Sequence, residues 1–321
     1  MQLDEAERII TENVVITRQK VAVMKALILG QGTLELALKS LGAMKPATIL
    51  IQPDVEPMLS LRRASEWISY SLAGCEALWG LVHAGVLIQL TSDLTIFDPA
   101  ISCTIARGNG GWSGGLRLER FQSAYPSRVI RSWVSDRDQV LADADLYLQR
   151  LSLPMIHHEV EDALRDSVRC FRAELFVPSV VMLGKASEGA WIELGVALAE
   201  FVGASDPKIK KWADGLTGPE IGFAKKLRDI VIFYETRQTT LKPVAQQAGT
   251  TLEDLRTAML WSDTLRDARN AIHHRVSTST DASYEMVVTL LLAAVPHLQT
   301  IYSLYRAVHE AKPLSVPPTN P

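Results

Sequence analysis

Apolar positions recur with a helical period over most of this chain and with a strand period over a short part of it. Val21 to Leu41 is apolar, broken by charges at Lys25, Glu35 and Lys39, and predicts a helix. Thr48 to Gln52 is a short β-branched run ended by Pro53, which predicts a strand. Ser65 to Leu81 returns to the helical period, carried by Trp67, Ile68, Leu72, Leu78 and Trp79. Val86 to Leu90, a turn at Thr91-Ser92-Asp93 and Leu94 to Phe97 predict a hairpin. Ile101–Ala106 and Leu116–Leu118 are strand-like. The glycine cluster between them, residues 108–115, predicts a flexible turn with Trp112 at its tip, an aromatic contact point.

From about Ser135 the pattern is helical. Helices are expected over Val140–Leu151, over His157–Phe176 with Val160, Leu164 and Val168 on one stripe, and over Ser179–Val202 after Pro178. The last of these is apolar on several sides, with Glu188 and Glu193 among small residues, and belongs at the centre of a bundle. Lys208–Trp212 is short and basic, and Thr217-Gly218-Pro219-Glu220 predicts the start of a helix running to Gln238. Thr251-Leu252-Glu253-Asp254 carries a capping signature for a helix continuing to His274. Ala282–Ala311 predicts the last helix. Residues 312–321 hold four prolines and are expected to be disordered. The fold class is mainly α: an α+β module over residues 1–150, a helical bundle over 151–311, and a tail.

The first module's order of helix, helix and hairpin resembles a winged helix. Its recognition segment, Gly74 to Ala84, has no Lys or Arg, whereas a DNA-reading helix brings cations to the phosphates. The glycine cluster lacks the Gly-Lys-Ser/Thr ending of a P-loop and the spacing of the dinucleotide fingerprint.

Composition narrows the picture. In 321 residues, 47% are hydrophobic, enough for two cores. The formal charge is −3, so contact with nucleic acid must be local. Cys75, Cys103 and Cys170 stand far apart, without metal spacing or a disulfide framework. His157-His158 has no metal-spaced partners and reads as surface. The N-terminus carries acids before any apolar run and does not read as a signal peptide. The longest apolar run, Val287–Val295, is about half of a bilayer crossing. A soluble cytoplasmic protein with no membrane contact, no metal and no cofactor is expected.

The chemistry gathers in Arg269-Asn270-Ala271-Ile272-His273-His274. A guanidinium holds a phosphate, an imidazole with an ordinary pKa of about 6.5 moves a proton at neutral pH, and an amide orients either partner. Arg266 and Arg275 flank the motif and, with Arg256, could extend phosphate contact. Lys225, Lys226 and Arg228 could do the same, although a solvated face is the favoured reading. Glu188 is placed to hydrogen-bond the motif arginine or an amide.

Arg269-Asn270-x-x-x-His274 in a penultimate helix, with the small and apolar segment Pro178–Glu188 upstream, resembles the HEPN superfamily, closest to the branch beside restriction and defence genes. The resemblance covers residues 155–310. It implies a metal-independent endoribonuclease acting as a toxin or antiphage defence effector on an RNA substrate. It also implies a homodimer with two motifs around one cleft, and an antitoxin or other defence-system partner protein. It assigns catalysis to Arg269, Asn270 and His274, whereas projection at about 100° per residue sets His273 nearer to Arg269. His274 is taken as the catalytic histidine and His273 as the supporting one. Two other readings are a non-catalytic HEPN module that binds nucleotides or proteins, and a winged-helix transcriptional regulator dimerised by the bundle.

Overall fold

The computed structural model describes residues 2–51, 57–107, 110–116, 118–132, 140–203, 206–274 and 282–311, with the backbone alone at 106–107, 110–112 and 271–274. The chain is mainly helical with small sheets, and it divides into two units, residues 1–146 and 147–321. The proline-rich tail expected to be disordered, residues 312–321, lies outside the described residues, as do Arg275 and the stretch 276–281.

The first unit is organised on one long helix. Helices α1 (Leu3–Asn13), α2 (Arg18–Gln31) and α3 (Leu34–Ser40) precede strand β1 (Ile49–Ile51) and helix α4 (Met58–His83). The N-terminal half of α4, through Leu61, Ala64, Trp67 and Ile68, packs with α1, β1 and the later strands β4 (Ile101–Arg107) and β5 (Gly110–Leu116). Its C-terminal half, through Ala73, Cys75, Leu78 and Leu81, packs with α2 and α3. Two serines inside α4 satisfy themselves on backbone: the Ser65 hydroxyl donates to Leu61 O at 3.0 Å, and the Ser69 hydroxyl donates to Ser65 O at 2.7 Å and accepts from Val15 N at 3.0 Å. Lys25 of α2 is buried, and its ammonium donates to Asp143 and Asp145 at 2.7 Å each.

Three expectations for this unit are corrected. The single helix over 21–41 is two helices bent by 111°. Gly32 takes the left-handed conformation at the end of α2, φ 86°, and Thr33 then caps α3 by accepting from Leu36 N. The hairpin over 86–97 does not form. Strand β2 (Leu87–Gln89) pairs with β7 (Val129–Arg131), and β3 (Leu94–Phe97) pairs with β6 (Ser123–Pro126). Residues 86–97 and 123–132 are thus two sides of one antiparallel ribbon, in which Thr91-Ser92-Asp93 lies in a bulge and not at a hairpin tip. Asp93 O accepts there from Ser127 N at 3.2 Å. Most of the glycine cluster is strand: residues 110–116 form β5 antiparallel to β4, with position 112 opposite Ile105 and away from a tip, while 108 and 109 lie outside the described residues. Ladder hydrogen bonds need only backbone, which glycine supplies.

The second unit is a bundle around α7 (Phe176–Gly203), whose buried positions are largely small: Gly184, Ala186, Ser187, Ala190, Gly195 and Ala197. Helices α6 (His158–Arg172), α8 (Pro207–Thr217), α9 (Phe223–Thr236), α11 (Leu252–His274) and α12 (Tyr284–Glu310) pack on it. α10 (Gln238–Ala248) completes the set, and the division between the units falls within α5 (Ala144–Leu151). α6 stops four residues before the expected Phe176, because Glu174 turns left-handed at φ 59°. Pro178 falls in the first turn of α7, where its missing N–H is not needed. α9 starts at Phe223 instead of Glu220, behind Gly222. The capping signature of α11 is formed, Thr251 N donating to Asp254 Oδ2 at 2.8 Å and Asp254 N to Thr251 Oγ1 at 3.2 Å. α12 extends the apolar run counted in sequence. By length and composition its 27 residues are enough to cross a bilayer: an 18-residue window within it has mean hydropathy 1.5, and 44% of that window is buried within the protein.

Candidate functional site

The register between α7 and α11 is set by a buried polar knot. Ser262 is fully buried, and its hydroxyl donates to Ala258 O at 3.0 Å. It accepts from Ser187 Oγ and from the Trp191 indole N–H, each at 2.9 Å. The two helices run antiparallel, so two turns beyond Ser262 the side chain of Arg269 comes over α7 at Gly184. A Cβ at that glycine would stand 3.6 Å from Arg269 Cδ. The absence of a side chain at 184 lets the arginine stem lie against α7.

The guanidinium then faces Glu188, with Nη1 4.0 Å from Oε2. The other oxygen of the same carboxylate, Oε1, is 3.8 Å from Nζ of Lys226 on α9. These are ion-pair distances without hydrogen bonds. Exposure separates the three side chains: Arg269 and Glu188 keep 27% and 30%, Lys226 only 6%. Glu188 also lines a cleft of about 370 Å³, along with His157, Val160, Lys185, Gly189 and Glu193. His157 accepts from Glu159 N through Nδ1 at 3.3 Å and so caps α6. Glu193 accepts from the Tyr302 hydroxyl at 2.9 Å. Burial holds the Glu193 carboxyl above its ordinary 4.5, and that hydrogen bond and the neighbouring His157 only partly oppose it.

The other basic residues of the motif region are already engaged. Arg266 meets Asp263 and Asp267, each at 2.8 Å, and Arg256 meets Glu235 at 2.9 Å. Glu188, expected to hydrogen-bond the motif arginine, holds it at 4.0 Å without such a bond. Asn270 is half-buried on α11, and the helical backbone continues through positions 273 and 274. The side chains of His273 and His274, and all of Arg275, lie outside the described residues.

Lys226 departs from the solvated face favoured for it in the sequence. The solvated face holds for Lys225, 68% exposed and 2.8 Å from Asp229, and fails for its neighbour. Phe223, Lys226, Ile230 and Phe233 fall at spacings of three and four, and all four are buried. A cation at a core position of a helical stripe was the available signal.

The cysteines carry no activated thiolate. Burial pushes the Cys75 thiol up to about 11 and raises Cys103 and Cys170 as well. Among the described residues no group of three or more His, Cys, Asp or Glu is arranged around a common metal position. The chain matches no family model, no curated protein and no solved structure.

Proposed function

We propose that this chain is a metal-independent endoribonuclease of the HEPN type, a toxin or antiphage effector whose helical second unit carries the chemistry. The observation that supports the reading most is the position of Arg269. It projects from the penultimate described helix and is held without hydrogen bonds near Glu188, whose carboxylate lines a cleft, with helix continuing through positions 273 and 274 about one turn further on. Its donor fork is unspent and fits a phosphate.

In this reaction a base removes the proton from the ribose 2′-hydroxyl, the 2′-oxygen attacks the adjacent phosphorus, and the 5′-oxygen leaves with a proton from an acid. The products are a 2′,3′-cyclic phosphate and a 5′-hydroxyl. Arg269 stabilises the developing phosphorane charge, and a histidine transfers the proton. One helix cannot set acid and base on opposite sides of a phosphate, so the second histidine comes from the motif of another copy of the chain. With helix through position 274, position 273 lies about 40° from 269 around the axis and 274 about 140°. The projection favours His273 for the phosphate held by its own Arg269, the family spacing favours His274, and the two single variants decide between them.

The test incubates the full chain with total RNA in EDTA, comparing wild type with Arg269→Ala, His273→Ala and His274→Ala. EDTA-resistant cleavage leaving cyclic phosphate ends, lost in Arg269→Ala and in at least one histidine variant, is the expected result. Equal weak cleavage in all four proteins overturns the reading. Nucleotide binding without cleavage by any of them would point instead to a non-catalytic module.

A further inference from the structure

We infer that Lys226 and Arg269 form a two-cation oxyanion site, occupied in the free protein by the Glu188 carboxylate, which a phosphate group displaces. The inference takes the phosphate to be that of an RNA strand, and in that respect it rests on the proposed ribonuclease activity.

Burial of a lysine is the starting point. An ammonium taken out of water is unfavourable by several kcal/mol unless close hydrogen-bonded partners replace its hydration. Lys226 keeps 6% of its side-chain exposure, its nearest carboxylate oxygen stands at 3.8 Å, and its Nζ donates no hydrogen bond among the described residues. Lys25, the other buried lysine, shows what a structural site looks like here: two carboxylates at 2.7 Å each. Lys225, Arg256 and Arg266 likewise hold carboxylates at 2.8–2.9 Å. Lys226 and Arg269 are both held off from one shared carboxylate, with their donors unspent.

Charge and shape then name the ligand. Two cations against one carboxylate leave a net charge of +1 in a partly buried site, where attraction is screened less than at the surface. Glu188 turns Oε1 to the lysine and Oε2 to the arginine. Two non-bridging phosphate oxygens present the same two-pronged edge, and Arg takes it through two parallel N–H donors. Glu188, 30% exposed and on the wall of the cleft, has room to swing into it. Glu188 acts as a stopper: it balances the two cations when the site is empty and competes with the anion that enters.

The test is isothermal titration of the full chain with inorganic phosphate, for wild type, Lys226→Met, Arg269→Ala and Glu188→Gln. Lys226→Met removes a buried charge at nearly constant volume and stays folded. It weakens phosphate binding about tenfold or more, the effect of one lost charge-assisted hydrogen bond, and so does Arg269→Ala. Glu188→Gln removes the competing charge and tightens binding. Where wild type gives no heat, Glu188→Gln binding that Lys226→Met abolishes in the double variant supports the site. No binding by either protein overturns it, as does wild-type affinity in Lys226→Met or weaker binding in Glu188→Gln. The RNA assay separates the two claims. Cleavage lost in Arg269→Ala but unchanged in kcat and KM in Lys226→Met removes this site and leaves the nuclease. Phosphate binding that follows Lys226 and Arg269 in a protein that cleaves no RNA does the reverse.

Discussion

Replacing Ser262 by alanine tests whether the buried knot between α7 and α11 holds the register that brings Arg269 over Gly184. The Ser262 hydroxyl is the acceptor for both Ser187 Oγ and the Trp191 indole N–H. Ser262 and Trp191 are fully buried, so without that oxygen the indole N–H is left without a partner, which costs about 1–3 kcal/mol. Ser187 loses about 0.5–1.5 kcal/mol of net hydrogen bonding and can turn to the carbonyl four residues back. Alanine's better helix propensity returns about 0.5 kcal/mol. The sum is about 1–4 kcal/mol for Ser262→Ala. For Ser187→Ala it is under about 1 kcal/mol, since Trp191 keeps its acceptor. Urea unfolding followed by circular dichroism reads both as shifts of midpoint at constant slope. In a Trp191→Phe background, Ser262→Ala should lose most of its effect, because the stranded donor is gone. Equal destabilisation by Ser262→Ala and Ser187→Ala, or an undiminished effect in the Trp191→Phe background, refutes the assignment of the knot to the indole N–H.

Lys25→Met leaves Asp143 and Asp145 facing each other with little exposure, and urea unfolding should show a loss of about 3–5 kcal/mol. Adding Asp143→Asn and Asp145→Asn should recover most of it. Glu193 carries a pH signature: its folded pKa lies above 4.5, so between 4.5 and that raised value the native state binds more protons than the unfolded one. Stability from this group therefore falls as pH rises through the window, and thermal melts from pH 4 to 7 should show wild type losing ground against Glu193→Gln; a gain would contradict the burial of the carboxylate. Gly195→Ala sets a Cβ 2.6 Å from Leu216 Cδ1 and 2.9 Å from Ile230 Cδ1. Overpacking of about 1–3 kcal/mol outweighs the roughly 1 kcal/mol that alanine adds to a helix. Gly30→Ala in α2 meets nothing within 4 Å and should stabilise by up to about 1 kcal/mol, read by the same melts.

What was legible in the sequence was whatever is decided locally. The Thr251–Asp254 cap is a contact between neighbours in the chain, and its residues announce it. The core helices α4, α7 and α12 follow from apolar density. Partnership between distant segments is not written that way. Val86–Phe97 has every local mark of a hairpin, two apolar runs around Thr-Ser-Asp, yet each run pairs with residues some thirty to forty positions on. Nothing within twelve residues distinguishes a turn from a bulge. Residues 110–116 mislead in the opposite direction, since glycine signals a loop while its backbone still completes the ladder with β4.

The candidate site divides along the same line, with one instructive exception. Arg269 was found as part of a short motif, but it also ends a stripe. Leu255, Ala258, Ser262, Leu265 and Arg269 fall at alternating spacings of three and four, and the first four are buried. Lys226 occupies the same kind of position between Phe223 and Ile230 on α9. On a helix that packs on a core, a charged residue in the apolar stripe opposes the packing that holds the helix there. α9 and α11 each carry such a cation, and both cations meet at Glu188 on α7. A leucine at 226 would pack the stripe without any need for Glu188 to balance it. Stability alone therefore gives no reason for the lysine, and the reason has to lie in what its ammonium can hold.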